Sequence, residues 1–172
     1  MSIPTESDLL LQILGNQHNA FRNAVSGLTD EQARSVPSAS SMSLASLLAH
    51  VVDGEVAAAD RVAGTNTRAA DPVAAWTSGW LVADDETVAD QITRLEAAAV
   101  RFAQAIREEP DLDRVIDLPD DVARYLDQGV PFTVRFLLIH QIEEWARHAG
   151  HADIIRESID GATADALAGR TW

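Results

Sequence analysis

On an α-helix, where successive residues turn by about 100°, Leu137, His140, Glu144, His148, His151 and Ile155 share one narrow sector. A separate arc holds Leu138, Ile142, Trp145 and Ala149. Four polar side chains therefore form a stripe on an otherwise apolar helix. A carboxylate in such surroundings is costly unless a cation or several donors compensate it, so something positive should face Glu144. Residues four apart on a helix have Cβ atoms about 5 to 6 Å apart, which lets Glu144 and His148 point at one ion. Two imidazoles and a carboxylate form the ligand set of several catalytic zinc sites, with a position left for water or substrate, and the set also suits nickel or iron. The competing reading of the same spacing is an exposed pair worth about 0.2 to 0.5 kcal/mol, and spacing alone favours it.

Other candidates carry less. His18 sits at the edge of an apolar helix face and reads as a hydrogen-bonded boundary residue. His50 flanks another apolar face and, taken alone, reads the same way. Trp76, Trp80 and Trp145 could wall a pocket, although aromatic residues fill cores more often. Asp153 or Arg156 could lie near a substrate carboxylate, but an ordinary surface or interhelix salt bridge explains them more simply.

The elements that must position these residues are helices. Thr5 with Asp8 gives a capping-box pattern, and Leu10, Ile13, Leu14, Phe21 and Ala24 follow helical spacing, so a first helix is predicted over roughly Thr5 to Ser26. Gly27 to Asp30 breaks it, with a short turn expected at Asp30 to Arg34. A second helix is predicted from about Ser43 to Ala63, with Gly64 as its stop. Arg68 to Asp85 lacks periodicity and reads as an ordered loop over one end of the bundle. A third helix spans about Glu86 to Glu108, and Pro110 to Pro131 reads as an irregular crossover with turns at Pro119-Asp120 and Gly129. Pro131 suits the first turn of a fourth helix running on to about Ile159. Being apolar almost all round, that helix is expected to be the most buried one. Residues 161 to 172 are expected to form a short helix or a disordered end. No strand alternation or repeat occurs, so the fold class is all-α, a four-helix bundle with long crossover loops, in one domain over 1–172 with a core of about 5–160.

Composition bounds the chemistry. A net charge of -14 over 172 residues, with all thirteen basic residues arginine, argues against nucleic acid as a partner. With no cysteine, disulfides, thiolate zinc sites and a protein-borne thiol nucleophile are excluded, so any thiol chemistry needs a thiol cosubstrate. No run of about 18 apolar residues occurs and Met1 to Ser7 lacks a signal pattern, so no membrane partner and a cytoplasmic location are expected.

The run RFLLIHQIEEWARHAGHADIIRE, Arg135 to Glu157, resembles the last bundle helix of the DinB-like superfamily, and is closest to its mycothiol-dependent transferase and maleylpyruvate isomerase-like branch. The resemblance extends to GLTDEQAR, Gly27 to Arg34, and to SLASLLAHV, Ser43 to Val51. It implies a four-helix bundle holding a divalent metal, zinc in the first place, through His50, Glu144 and His148. Many relatives carry histidine where this chain has Glu144, whereas the mycothiol-dependent type carries glutamate. The resemblance thus implies a thiol S-transferase or isomerase in which the metal activates mycothiol, or a similar small thiol, for attack on a small electrophile. His140 and His151 are candidates for orienting a ligand or moving a proton. A homodimer is expected from the pairing common among such bundles. The alternative is a non-catalytic, metal-binding bundle with a regulatory or structural role, because fold does not imply function.

Overall fold

A computed structural model describes residues 3–65, 71–118 and 129–170. Its helices are α1 (Glu6–Val25), α2 (Asp30–Arg34), α3 (Leu44–Ala63), α4 (Pro72–Ser78), α5 (Val88–Glu108), α6 (Val134–Asp160) and α7 (Ala164–Leu167). The chain is all-α, and the only pairing of extended backbone among the described residues is an isolated bridge between Val115 and Thr133.

Local sequence sets the helix ends. Thr5, Thr29, Ser43 and Thr87 each accept a bond from the backbone N–H three residues on, and the side-chain oxygens of Asp8, Gln32, Ser46 and Asp90 accept from the cap residue's own backbone N–H. These reciprocal bonds satisfy donors that the first helical turn leaves open. Gly64 and Gly161 end α3 and α6 in the left-handed conformation, which costs glycine no Cβ clash.

The four long helices form a ring in which α3 packs on α5 and α6, α1 packs on α6 and α5, and α1 and α3 meet only lightly across the middle. Phe21, Leu14, Leu44, Leu47, Leu48, Leu95, Phe102, Ile106, Leu137, Leu138 and Ile155 fill that middle. Each side chain of this size contributes about 1.5 to 3 kcal/mol when taken fully out of water. No helix among the described residues is long and apolar enough to cross a membrane.

The predicted segments match the long helices, with three differences. Within the segment read as a loop from Arg68 to Asp85, Asp71 accepts bonds from the backbone of Val73 and Ala74 and starts the short helix α4. Pro131 lies outside α6 and not in its first turn, because Thr133 caps the helix through the Phe136 N–H. Nor is α6 the most buried helix: 13 of the 20 residues of α3 are buried against 10 of 27 in α6, because α3 is flanked on more sides while Ile139 and Ile154 of α6 face water. The turn expected at Pro119-Asp120 lies outside the described residues.

Candidate metal centre

His50 projects from the middle of α3 toward α6, where its ring meets His148 edge-on with centroids 5.0 Å apart and planes at 79°. Two imidazoles bound through nitrogen to one ion at about 2.0 to 2.1 Å place their ring centres roughly 5 Å apart, so the observed spacing has the scale of a shared ion. The rings are held from both sides. Trp80, in the segment after α4, stacks flat on His50 at 4.0 Å and 8°, and Trp145 of α6 meets His50 edge-on at 5.7 Å. Trp76 of α4 lies against Trp80 at 6.0 Å and is itself 60% exposed. The three tryptophans therefore divide by role: Trp80 and Trp145 flank the histidines, whereas Trp76 forms the outer edge.

Glu144 sits one turn before His148, with Oε2 3.8 Å from His148 Nε2. Tetrahedral ligation through bonds of about 2 Å needs roughly 3.3 Å between two donor atoms, somewhat less than the separation here. The other carboxylate oxygen of Glu144 accepts from Arg147 at 2.7 Å. Burial pushes the His148 imidazole below its ordinary pKa, with His151 and Arg147 adding to the effect and the Glu144 carboxylate opposing it. A neutral imidazole is the metal-binding form, so this environment favours ligation. The donor types of His50, His148 and Glu144 suit a divalent ion, but among the described residues no group of three or more His, Asp or Glu side chains is arranged to hold one.

His151 is the residue of the stripe that reaches this cluster from behind. Its Nδ1 lies 3.4 Å from His148 Nδ1, which leaves Nε2 of His148 directed toward Glu144. Metal-binding histidines are commonly held by a partner on their second nitrogen, and His151 occupies that place. His140 does not join them. Its ring stacks on Phe136 at 6.0 Å and its Nδ1 lies 3.8 Å from Glu143.

Of the remaining candidates, Arg156 and His18 have structural partners. Arg156 is buried and donates to the carbonyls of Ala24 and Ser26 at the end of α1 while pairing with Asp160 through two nitrogens. Burial raises the pKa of Asp153, and the neighbouring carboxylates of Glu157 and Asp165 raise it further. His18 is fully inside, not at a boundary, with Nε2 3.3 Å from Glu55 Oε1. Glu55 went unnoticed in the sequence. It is 0% exposed and accepts from Trp145 Nε1 at 2.8 Å and Gln141 Nε2 at 3.3 Å. Its signal was a lone acid among Val51, Val52, Ala58 and Ala59, a pattern that also fits an exposed helix position.

A family model described as Mycothiol-S-transferase matches residues 9–161. The chain belongs to that mycothiol S-transferase family, within the DinB-like fold. Among solved structures, the crystal structure of a conserved protein from Enterococcus faecalis aligns over 93% of this chain and 100% of its own length, with a TM-score of 0.69 and 16% identity. At that identity the likeness carries the fold alone. No curated protein matches.

Proposed function

We propose that this protein is a divalent-metal-dependent S-transferase or isomerase that joins a mycothiol-type thiol to a small electrophile, with the metal held by His50, Glu144 and His148. The observation that carries the reading is the approach of His50 and His148 from two different helices, 5.0 Å apart, with Glu144 beside them. Family membership supplies the thiol, and the absence of cysteine requires that it come from outside the chain. Zinc suits this donor set best, with nickel and iron as alternatives.

The chemistry supplied there by a bound divalent ion is acidification of a coordinating thiol, which raises the thiolate fraction at neutral pH. The chain does the rest. Trp80 and Trp145 keep water from the histidine faces, which strengthens electrostatic interactions within the site. His151 holds the ring of His148 from its second nitrogen, and the proton released from the thiol passes to solvent. In the transfer, the thiolate sulfur forms a bond to an electrophilic carbon, and either a leaving group departs with the bonding pair or the adduct later eliminates the thiol to give an isomer. Trp76 borders the approach and offers an apolar surface to the substrate.

Elemental analysis of protein purified without chelator and supplied with zinc or nickel tests the metal. About one ion per chain is expected, and Glu144→Ala should lower the content at least tenfold at limiting metal. Substoichiometric metal after reconstitution, or a Glu144→Ala variant with unchanged content, contradicts the reading. A cytoplasmic location and a homodimer belong to the same proposal, and sedimentation reports the second directly.

A further inference from the structure

Glu55 is the one fully buried carboxylate among the described residues, and the proposed chemistry does not use it. A carboxylate without water costs several kcal/mol unless its oxygens are bonded, so the partners that satisfy it matter. Oε2 takes the Trp145 indole N–H at 2.8 Å and the Gln141 amide at 3.3 Å, while Oε1 has no hydrogen bond among the described residues and His18 Nε2 lies beside it at 3.3 Å, an ion-pair contact without hydrogen-bond geometry. One side chain of α3 thereby gathers groups from α1 and α6.

Trp145 has a second constraint. Its ring lies directly over Gly54, where a Cβ would stand 2.5 Å from the ring's Cη2 atom, so only glycine admits it. Gln141 also donates to the Gly54 carbonyl at 3.4 Å. Trp145 adjoins Glu144 and precedes His148 by three residues, and its ring touches His50 at 5.7 Å and His148 at 6.3 Å. Turning α6 by a single residue, about 100°, would withdraw the indole N–H from Glu55 and carry Glu144 and His148 away from His50.

We propose that Glu55 and Trp145 are positioning residues that fix the rotation of α6 against α3, and so set the approach of Glu144 and His148 to His50. The inference rests on the metal reading above. Packing alone does not need the pair, since apolar residues of similar volume commonly replace buried polar groups without loss of stability. What the bond adds is direction.

The test follows from that separation. Wild-type protein, Glu55→Gln, Trp145→Phe and the double variant Glu55→Leu/Trp145→Phe are each titrated with Co(II), with the dissociation constant and the visible absorption spectrum as readouts, and helical circular dichroism reports folding. The expected result is a folded double variant that binds Co(II) at least about tenfold more weakly with a shifted spectrum, and a Glu55→Gln variant, which keeps an acceptor for the indole, within a few-fold of wild type. A folded double variant with wild-type affinity and spectrum overturns the positioning role while leaving the metal reading standing. Should the double variant lose its helical signal, Trp145→Phe decides by the same two readouts. Wild-type protein that takes up no Co(II) overturns the metal reading and this inference together.

Discussion

Glu144 and Glu55 show how differently two glutamates on neighbouring helices can be used. Glu144 keeps a quarter of its side chain in water, with Arg147 on one oxygen and His148 near the other, so it can exchange partners. Glu55 is wholly buried, and fixed donors hold its Oε2. Spacing singles out the first as a candidate because histidines flank it in one sector. The second was hidden because its partners, His18, Gln141 and Trp145, lie far away in the chain. His50 was likewise invisible to periodicity and was reached only through the family resemblance. Arg156 permits a prediction at the same scale. It carries two backbone carbonyls of α1 and a paired Asp160, so Arg156→Ala should destabilise the fold by about 2 to 4 kcal/mol in urea denaturation, with Arg156→Lys recovering only part because a lysine lacks the planar fork. A loss under about 0.5 kcal/mol, the size of an ordinary surface substitution, would show that those carbonyls find water instead.

The helices themselves were legible because their signals are local. Thr5 with Asp8 marked the start of α1, and the structure closes both bonds of that box. Gly64 marked the end of α3 and adopts the left-handed φ of 68°. Misreadings arose where tertiary context decides. The start of α4 depends on an Asp71 cap without an apolar period behind it, and the burial of α6 was overestimated because hydrophobic residues such as Ile154 remain on the outer face. What no local pattern encodes is the rotation of one helix against another. Gly54 bears on that directly: Gly54→Ala would drive a methyl group into the Trp145 ring and should cost about 1 to 3 kcal/mol by thermal or urea unfolding. Unchanged stability would mean that α3 and α6 separate easily, contrary to a tight notch.

Across the whole molecule the excess of acid is spread over surfaces and pairs. Arg22 meets Glu96, Arg101 meets Asp60 and Arg135 meets Glu6 and Asp113, so arginines link α1, α3, α5, α6 and the segment after α5. Apart from Arg101 with the buried Asp60, these pairs are largely exposed and add little stability each, and the bundle rests mainly on its apolar interior. The ring of helices leaves α3 facing α6, and the candidate site lies on that seam, where two rigid elements can hold histidines more steadily than a loop could. The Trp76 and Trp80 segment then covers it.

The most direct measurement is the disappearance of free thiol when metallated protein meets a panel of small electrophiles with mycothiol, bacillithiol or glutathione. The expected result is metal-dependent consumption of mycothiol above the other two thiols, abolished by chelator and reduced at least about a hundredfold in His148→Ala. A fully metallated protein that consumes no thiol with any electrophile would contradict the transferase reading and favour a non-catalytic metal-binding bundle.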